Sequence, residues 1–144
     1  MSESKNAEAH KGRLLSTIKF PIRWGDMDSL GHVNNAQYLR YFEESRVDWT
    51  QRNGLRLHSE GEGMILLKAG VTYKKSVVYP ANVTIDLFAG PIGNTSLQMI
   101  NELTIEGDAR PAAIGEFVIV WFDYNKQKPA PVPQRLRDLL EGRA

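Results

Sequence analysis

Arg23-Trp24-Gly25-Asp26-Met27-Asp28-Ser29-Leu30-Gly31-His32-Val33-Asn34-Asn35-Ala36-Gln37-Tyr38-Leu39-Arg40-Tyr41-Phe42-Glu43 is the stretch on which the fold turns, because the hydrophobic period changes inside it. Upstream, Ile18, Phe20, Ile22 and Trp24 alternate with Thr17, Lys19, Pro21 and Arg23. That period of two predicts a half-buried strand, with Pro21 marking an edge or a bulge. From Gly25 to Val33 there is no period and there are two glycines, so the segment reads as a loop. Downstream, Tyr38, Phe42, Ser45 and Trp49 recur at helical spacing, while Arg40, Glu43, Glu44, Asp48 and Gln51 take the opposite face. Asn34 or Asn35 can cap the start of this helix. Gly54 can end it in the left-handed position, giving about 18 helical residues and a length of about 27 Å.

Beyond the helix the pattern predicts strands at about Met64–Val78, Asn82–Ala89, Ser96–Glu106 and Ala112–Tyr124, separated by turns at Tyr79–Asn82, Gly90–Asn94 and Gly107–Pro111. Short links between successive strands imply an antiparallel meander. A last helix is expected over Pro133–Glu141, with Leu136, Leu139 and Leu140 inward and Gly142 closing it. The fold class is α+β: one long helix against a curved antiparallel sheet of about five strands. Residues 14–144 form the domain and residues 1–13 a flexible leader. Such a sheet exposes two edges, and pairing with a second copy is one way to cover them.

At 144 residues with 42% hydrophobic composition, the chain can bury a core without disulfides or metals. It has no cysteine, which excludes thiol nucleophiles and Cys-ligated metals and fits a reducing compartment. A net charge of +1 provides no strong field, so neither nucleic acid nor an anionic membrane is an expected partner. Within that balance, residues 125–144 carry a net +3. No run of about 18 apolar residues exists and the first residues are polar, so the expected address is cytoplasmic. There is no G-x-S-x-G elbow and no Walker loop. Gly61-Glu62-Gly63 has Leu66 where a dinucleotide fingerprint needs its third glycine. His10, His32 and His58 are scattered, and neither a metal nor a cofactor is expected.

What remains is the loop from Asp26 to Asn35, placed immediately before a helix whose first backbone N–H groups lack intrahelical partners. Those groups and the positive end of the helix dipole suit an oxyanion formed during acyl transfer. A carboxylate just upstream can act as nucleophile or as general base on water. The same residues have plainer uses: Asp26 or Asp28 can hold the loop, Asn34 and Asn35 can cap, and His32 can hydrogen-bond structurally. The stripe of Tyr38, Phe42 and Trp49 reads as core, with Tyr38 near enough to the helix start to border a pocket. Glu43 and Glu44 read as a solvated face.

The run from Arg23 to Glu43 strongly resembles the signature of hot-dog-fold acyl-CoA thioesterases, in the 4-hydroxybenzoyl-CoA thioesterase-like branch, through its D-x-(L/M)-G-H-V-N-N-A-x-Y motif at Asp28 to Tyr38. The resemblance implies a long central helix wrapped by the sheet and hydrolysis of an acyl-CoA or acyl-carrier-protein thioester. It makes Asp28 the catalytic acid, Asp26 a supporting one and the Asn35 N–H the oxyanion donor. His32, Val33 and Asn34 form the turn, Tyr38 borders the substrate, and the Ser76 hydroxyl reaches toward substrate from a neighbouring subunit. Homodimers or dimers of dimers are implied as well. Benzoyl-specific relatives hold the CoA phosphates with a basic cluster at the turn after the third strand, where this chain has Gly90-Pro91-Ile92-Gly93-Asn94-Thr95. Lys74, Lys75, Arg110 and the basic tail are the candidates instead, and a fatty acyl substrate is expected. Two rivals stand beside this reading. One is a dehydratase or hydratase on the same fold, although His32 follows Asp28 without the usual Asn-Pro. The other is a non-catalytic module that binds acyl thioesters.

Overall fold

In β4 (Asn82–Ile92) every second residue from Val83 to Ala89 is buried, as its alternation requires, and Phe117, Ile119 and Trp121 repeat the pattern further along the sheet. The structure, a computed structural model, describes residues 11–55, 58–59 and 61–143. Within them β1 (Leu14–Pro21), β2 (His58–Ser59), β3 (Glu62–Tyr73), β4, β5 (Ser96–Ile105), β6 (Ala113–Asp123) and β7 (Lys128–Pro129) form one antiparallel sheet. Its order is β1-β4-β5-β6-β3-β2, with β7 pairing β6. The five long strands match the expected number; β2 and β7 are two residues each, too short to carry a period.

The sheet packs on α1 (Asn35–Arg52), an α-helix of 18 residues whose Tyr38, Phe42, Ser45 and Trp49 are all buried. Phe42 is fully buried with its ring centroid 5.9 Å from that of Phe117, and burial of such a side chain contributes about 1.5–3 kcal/mol. The approach depends on Gly115, where a Cβ would lie 2.8 Å from the Phe42 ring. Ser45 interrupts the apolar stripe because it meets a buried polar residue of β5: Asn101 donates to the Ser45 hydroxyl at 3.2 Å and to the Asp86 carbonyl. The helix ends where its caps say. Asn34 Oδ1 accepts from the Ala36 N–H at 3.0 Å, and Gly54 takes the left-handed φ of +67°. The second helix, α2 (Gln134–Glu141), buries Leu136 and Leu140, half-buries Leu139 and ends at left-handed Gly142.

Several expectations are corrected. Trp24 is 72% exposed, outside the strand it was expected to continue. The chain turns there because Asp26 Oδ2 accepts from the Arg23 N–H, closing a short 3-10 turn over Trp24–Asp26. β3 stops at Tyr73 rather than Val78 and lies beside β6, so only β4, β5 and β6 form a meander. The link 74–81 crosses from one side of the sheet to the other, passing two strands at about 4.8 Å spacing, a span of about 14 Å well within its reach. Its backbone bonds leave the ladder: the N–H groups of Lys74 and Lys75 both donate to Ala112 O, and those of Val33 and Ile22 donate to Val77 O and Ala81 O. Ser76 therefore sits in this link and not on a strand. β4 in turn absorbs Gly90 and Pro91 of an expected turn through a register shift between Ala89 and Ile92. Of the expected leader, residues 1–10 lie outside the described ones, while Gly12 N–H donates to Ala89 O and Arg13 O accepts from the Ala89 N–H. Among the described residues no helix is long and apolar enough to cross a membrane.

Candidate active site

Three clips hold the loop that precedes α1. The first is Asp26, whose Oδ2 accepts from the Tyr41 hydroxyl at 2.6 Å and from the Arg23 N–H at 3.0 Å, while its carbonyl accepts from the Asn34 N–H at 3.0 Å. The second closes the loop on itself: Met27 bridges Val33, the Asp28 N–H donates to His32 O at 3.1 Å, and the Gly31 N–H donates to Asp28 O with Gly31 at φ +84°. The third is buried Val33, whose N–H donates to Val77 O at 2.8 Å and ties the loop to the link 74–81. Asp28 thus stands opposite His32 across the closed turn, and Asp26 opposite Asn34.

The two acids have different surroundings. Asp26 is occupied by donors from the turn and the helix. Asp28 is half-buried and uses Oδ1 to accept from the Leu30 N–H at 2.9 Å, a local turn of the kind Asp favours. Among the described residues its other oxygen meets no donor. Asn34 spends its side-chain oxygen on the helix cap. Asn35, the first residue of α1, is exposed; its carbonyl accepts from the Tyr73 hydroxyl at 2.9 Å, and among the described residues its N–H meets no acceptor. Among the described residues, a carboxylate oxygen that meets no donor and an N–H that meets no acceptor at the positive end of a helix have the chemistry to accept a proton and to stabilise an oxyanion.

The remaining expected residues surround this pair. His32 is half-exposed in the turn, Val33 is buried under it, and exposed Ser76 lies one residue before Val77, against which Val33 is bonded. Tyr38 is buried beneath the loop, with ring centroids 5.0 Å from Tyr73 and 6.3 Å from Tyr41. Glu43 and Glu44 are exposed, and Glu43 pairs with Arg40 at 3.2 Å. Two tyrosines outside the expected site, buried Tyr41 and exposed Tyr73, also hold polar atoms of it. Tyr41 is held far above its ordinary pKa by burial, then by its hydrogen bond to the Asp26 carboxylate and that group's charge, so it remains a donor. Tyr73, also raised by burial, fixes the first carbonyl of the helix.

The chain as a whole is similar to known proteins. The long-chain acyl-CoA thioesterase FadM of Escherichia coli (strain K12) is 24% identical over 122 residues, covering 83% of this chain and 92% of its own. The solved PA2801 protein of Pseudomonas aeruginosa is 40% identical and superposes with a TM-score of 0.80, covering 87% of this chain and 97% of its own. Slr0204, a 1,4-dihydroxy-2-naphthoyl-CoA thioesterase from Synechocystis, is 19% identical with a TM-score of 0.79 over 86% of this chain and 93% of its own, a likeness of fold. A family model described as the thioesterase-like superfamily matches residues 22–140, from the clipped loop to the last helix. The chain belongs to that superfamily and is a thioester hydrolase built on the hot-dog fold.

Proposed function

We propose that the protein hydrolyses a fatty acyl-CoA to the free acid and CoA, with Asp28 and the Asn35 N–H as its catalytic groups. The observation that carries this reading is the pairing, in one clipped loop, of a carboxylate oxygen that meets no donor and an exposed helix-start N–H that meets no acceptor among the described residues. In the general-base form Asp28 takes a proton from water as the hydroxide adds to the thioester carbonyl. The Asn35 N–H stabilises the oxyanion, the C–S bond breaks, and the proton held by Asp28 goes to the departing thiolate. In the nucleophilic form Asp28 adds to the carbonyl itself and the C–S bond breaks to expel the thiolate; water then cleaves the mixed anhydride, which regenerates the carboxylate, releases the acid and supplies the thiolate's proton. His32, Val33 and Asn34 shape the turn around the carbonyl and Tyr38 supports its floor. The fatty acyl assignment is supported by the activity named for FadM and by the absence of cations at residues 90–95.

The active form in this reading is a homodimer or a dimer of dimers. Beyond Gly63, no described strand pairs with the outer edge of β3, and Leu66 and Leu67 are exposed along it, Leu67 by 68%. An apolar unpaired edge of that length favours a second copy, whose substrate the exposed Ser76 then faces. Leu67→Lys is expected to shift the protein toward monomer in sedimentation; an unchanged dimer would place the interface elsewhere.

The decisive assay is thiol release from acyl-CoAs of graded chain length. Asp28→Asn keeps an oxygen for the Leu30 N–H, so its melting temperature is expected to stay within about 2 °C of the parent. Its kcat is expected to fall by about 10³-fold or more. Retained turnover in a folded Asp28→Asn protein would remove Asp28 from the chemistry. Loss of an enoyl thioester without thiol release would favour hydration.

A further inference from the structure

Beyond the last turn of α1, the start of β3, the end of β6 and the start of α2 leave a cavity of about 260 Å³ between them, walled by Leu55, Met64, Trp121, Pro133 and Leu136. The walls are continuous with the core. Trp121 and Leu136 are buried in the cluster that also holds Trp49, and half-buried Leu55 and Met64 pack against it. The single polar group of the Trp121 side chain is spent elsewhere, since its indole N–H donates to Glu62 Oε1 at 2.6 Å. What the ring offers the cavity is carbon.

One charge stands in this apolar setting. Exposed Arg135 lines the cavity, and no acidic residue does. Its Nη2 donates to Asn53 O at 2.7 Å, which holds the guanidinium beside the end of α1. A guanidinium carries five N–H donors, and among the described residues Arg135 makes no ion pair and no second hydrogen bond. The neighbouring arginines are committed: Arg137 donates to Gly93 O and Asn94 O, and Arg143 pairs with Asp138 and Glu141. The cavity is also remote from the candidate catalytic loop, because Asn35 and Arg52 bound α1 and the helix is about 27 Å long.

We infer that this cavity is an accessory binding site for an ionised carboxylic acid with a medium-length hydrocarbon chain. The chain lies against Leu55, Met64, Trp121 and Leu136, and the carboxylate takes the free donors of Arg135, whose planar fork matches its two oxygens. Apolar walls with one placed charged group are the usual make-up of a site that both holds and orients a small ligand. At roughly 30 Å³ for each small group, the share of a water molecule in the liquid, the cavity fits a chain of about eight carbons with its head group at the rim. Free carboxylic acids are the class of product that thioester hydrolysis releases. The assignment stands apart from the catalytic roles proposed for Asp28 and Asn35.

The test follows the Trp121 indole N–H resonance by NMR, identified by its loss in Trp121→Phe, as octanoate, octanol or octylammonium is added to the full-length protein. Octanoate is expected to shift this resonance saturably, and to bind about tenfold or more tightly than the other two. Arg135→Gln should weaken octanoate about tenfold, the loss of roughly one charge-assisted hydrogen bond, and leave octanol unchanged. Arg135→Lys, which keeps the charge, should retain most of the affinity. No saturable shift at millimolar octanoate overturns the site, as does a shift confined to the indoles of Trp24 or Trp49. Equal affinity for the three probes, or octanoate binding indifferent to Arg135→Gln, reduces the cavity to a hydrocarbon hole and overturns the carboxylate assignment. Should Arg135→Gln loosen α2, octanoate against octylammonium on the unsubstituted protein decides the question without a variant.

Discussion

Replacing Tyr41 by phenylalanine removes one hydroxyl and keeps the ring, which packs edge-on to Phe20 at 5.1 Å between centroids. The lost bond is the 2.6 Å contact to Asp26 Oδ2, and a hydrogen bond to a charged partner contributes about 1.5–3 kcal/mol. Asp26 is half-buried and retains the Arg23 N–H, so the lower end applies, about 1.5 kcal/mol. For a chain of this length that lowers the melting temperature by roughly 3–6 °C. The catalytic consequence travels through the backbone. The Asp26 carbonyl accepts from the Asn34 N–H, and Asn35 follows directly, so loosening Asp26 moves the candidate oxyanion donor relative to Asp28. A displacement near 1 Å costs about 10²-fold, and Tyr41→Phe is therefore expected to lower kcat by about 10- to 100-fold with little change in KM. Urea unfolding and thiol release at saturating acyl-CoA measure the two effects separately. Asp26→Asn, which still accepts from Tyr41, tests the pair: the double variant should show a coupling of about 1 kcal/mol. A variant that melts earlier yet keeps full kcat would refute the positioning argument, and one with unchanged melting would show that the bond contributes nothing.

Gly115→Ala places a methyl group 2.7 Å from the Phe117 ring and 2.8 Å from that of Phe42, so overpacking should cost about 1–3 kcal/mol in chemical denaturation. An unaffected midpoint would mean that the helix can retreat from β6 without penalty. Alkaline pH should destabilise the protein more steeply than an ordinary exposed tyrosine can explain, because burial raises the pKa of both Tyr38 and Tyr41. Below pH of about 10 both folded and unfolded chains hold these protons and the stabilisation is complete. Above it the unfolded chain releases protons that the native one retains, and stability falls by up to about 1.4 kcal/mol per pH unit for each group. Tyr41→Phe should flatten that slope when unfolding is followed from pH 9 to pH 11; an equal slope in both proteins would contradict the assignment.

What could be read in the residues, and what could not, follows from the range of the interactions. The helix was legible because Tyr38, Phe42, Ser45 and Trp49 record its period and Asn34 and Gly54 its ends, all within one local stretch. Two local bonds, Asp28 to His32 within the loop and Asn34 to Ala36 at the helix cap, involve residue types whose preferences announce them. The place of β3 was not legible: alternation says which face of a strand is buried and nothing about which neighbour it takes, so a crossing link of ordinary length was read as a turn. Trp24 illustrates the complementary failure, a run of alternating residues cut short by one side chain, since Asp26 captures the Arg23 N–H that the strand would have used. The roles of Tyr41 and Tyr73 were not legible. Their hydroxyls bond 15 and 38 residues away in the chain, across a loop and across a sheet, and they meet Asp26 and Asn35 only once α1 has docked. The candidate acid and oxyanion donor are thus local features of the motif, while the force that fixes their spacing is tertiary. Substitutions of the tyrosines should accordingly perturb turnover without touching any residue of the motif's chemistry.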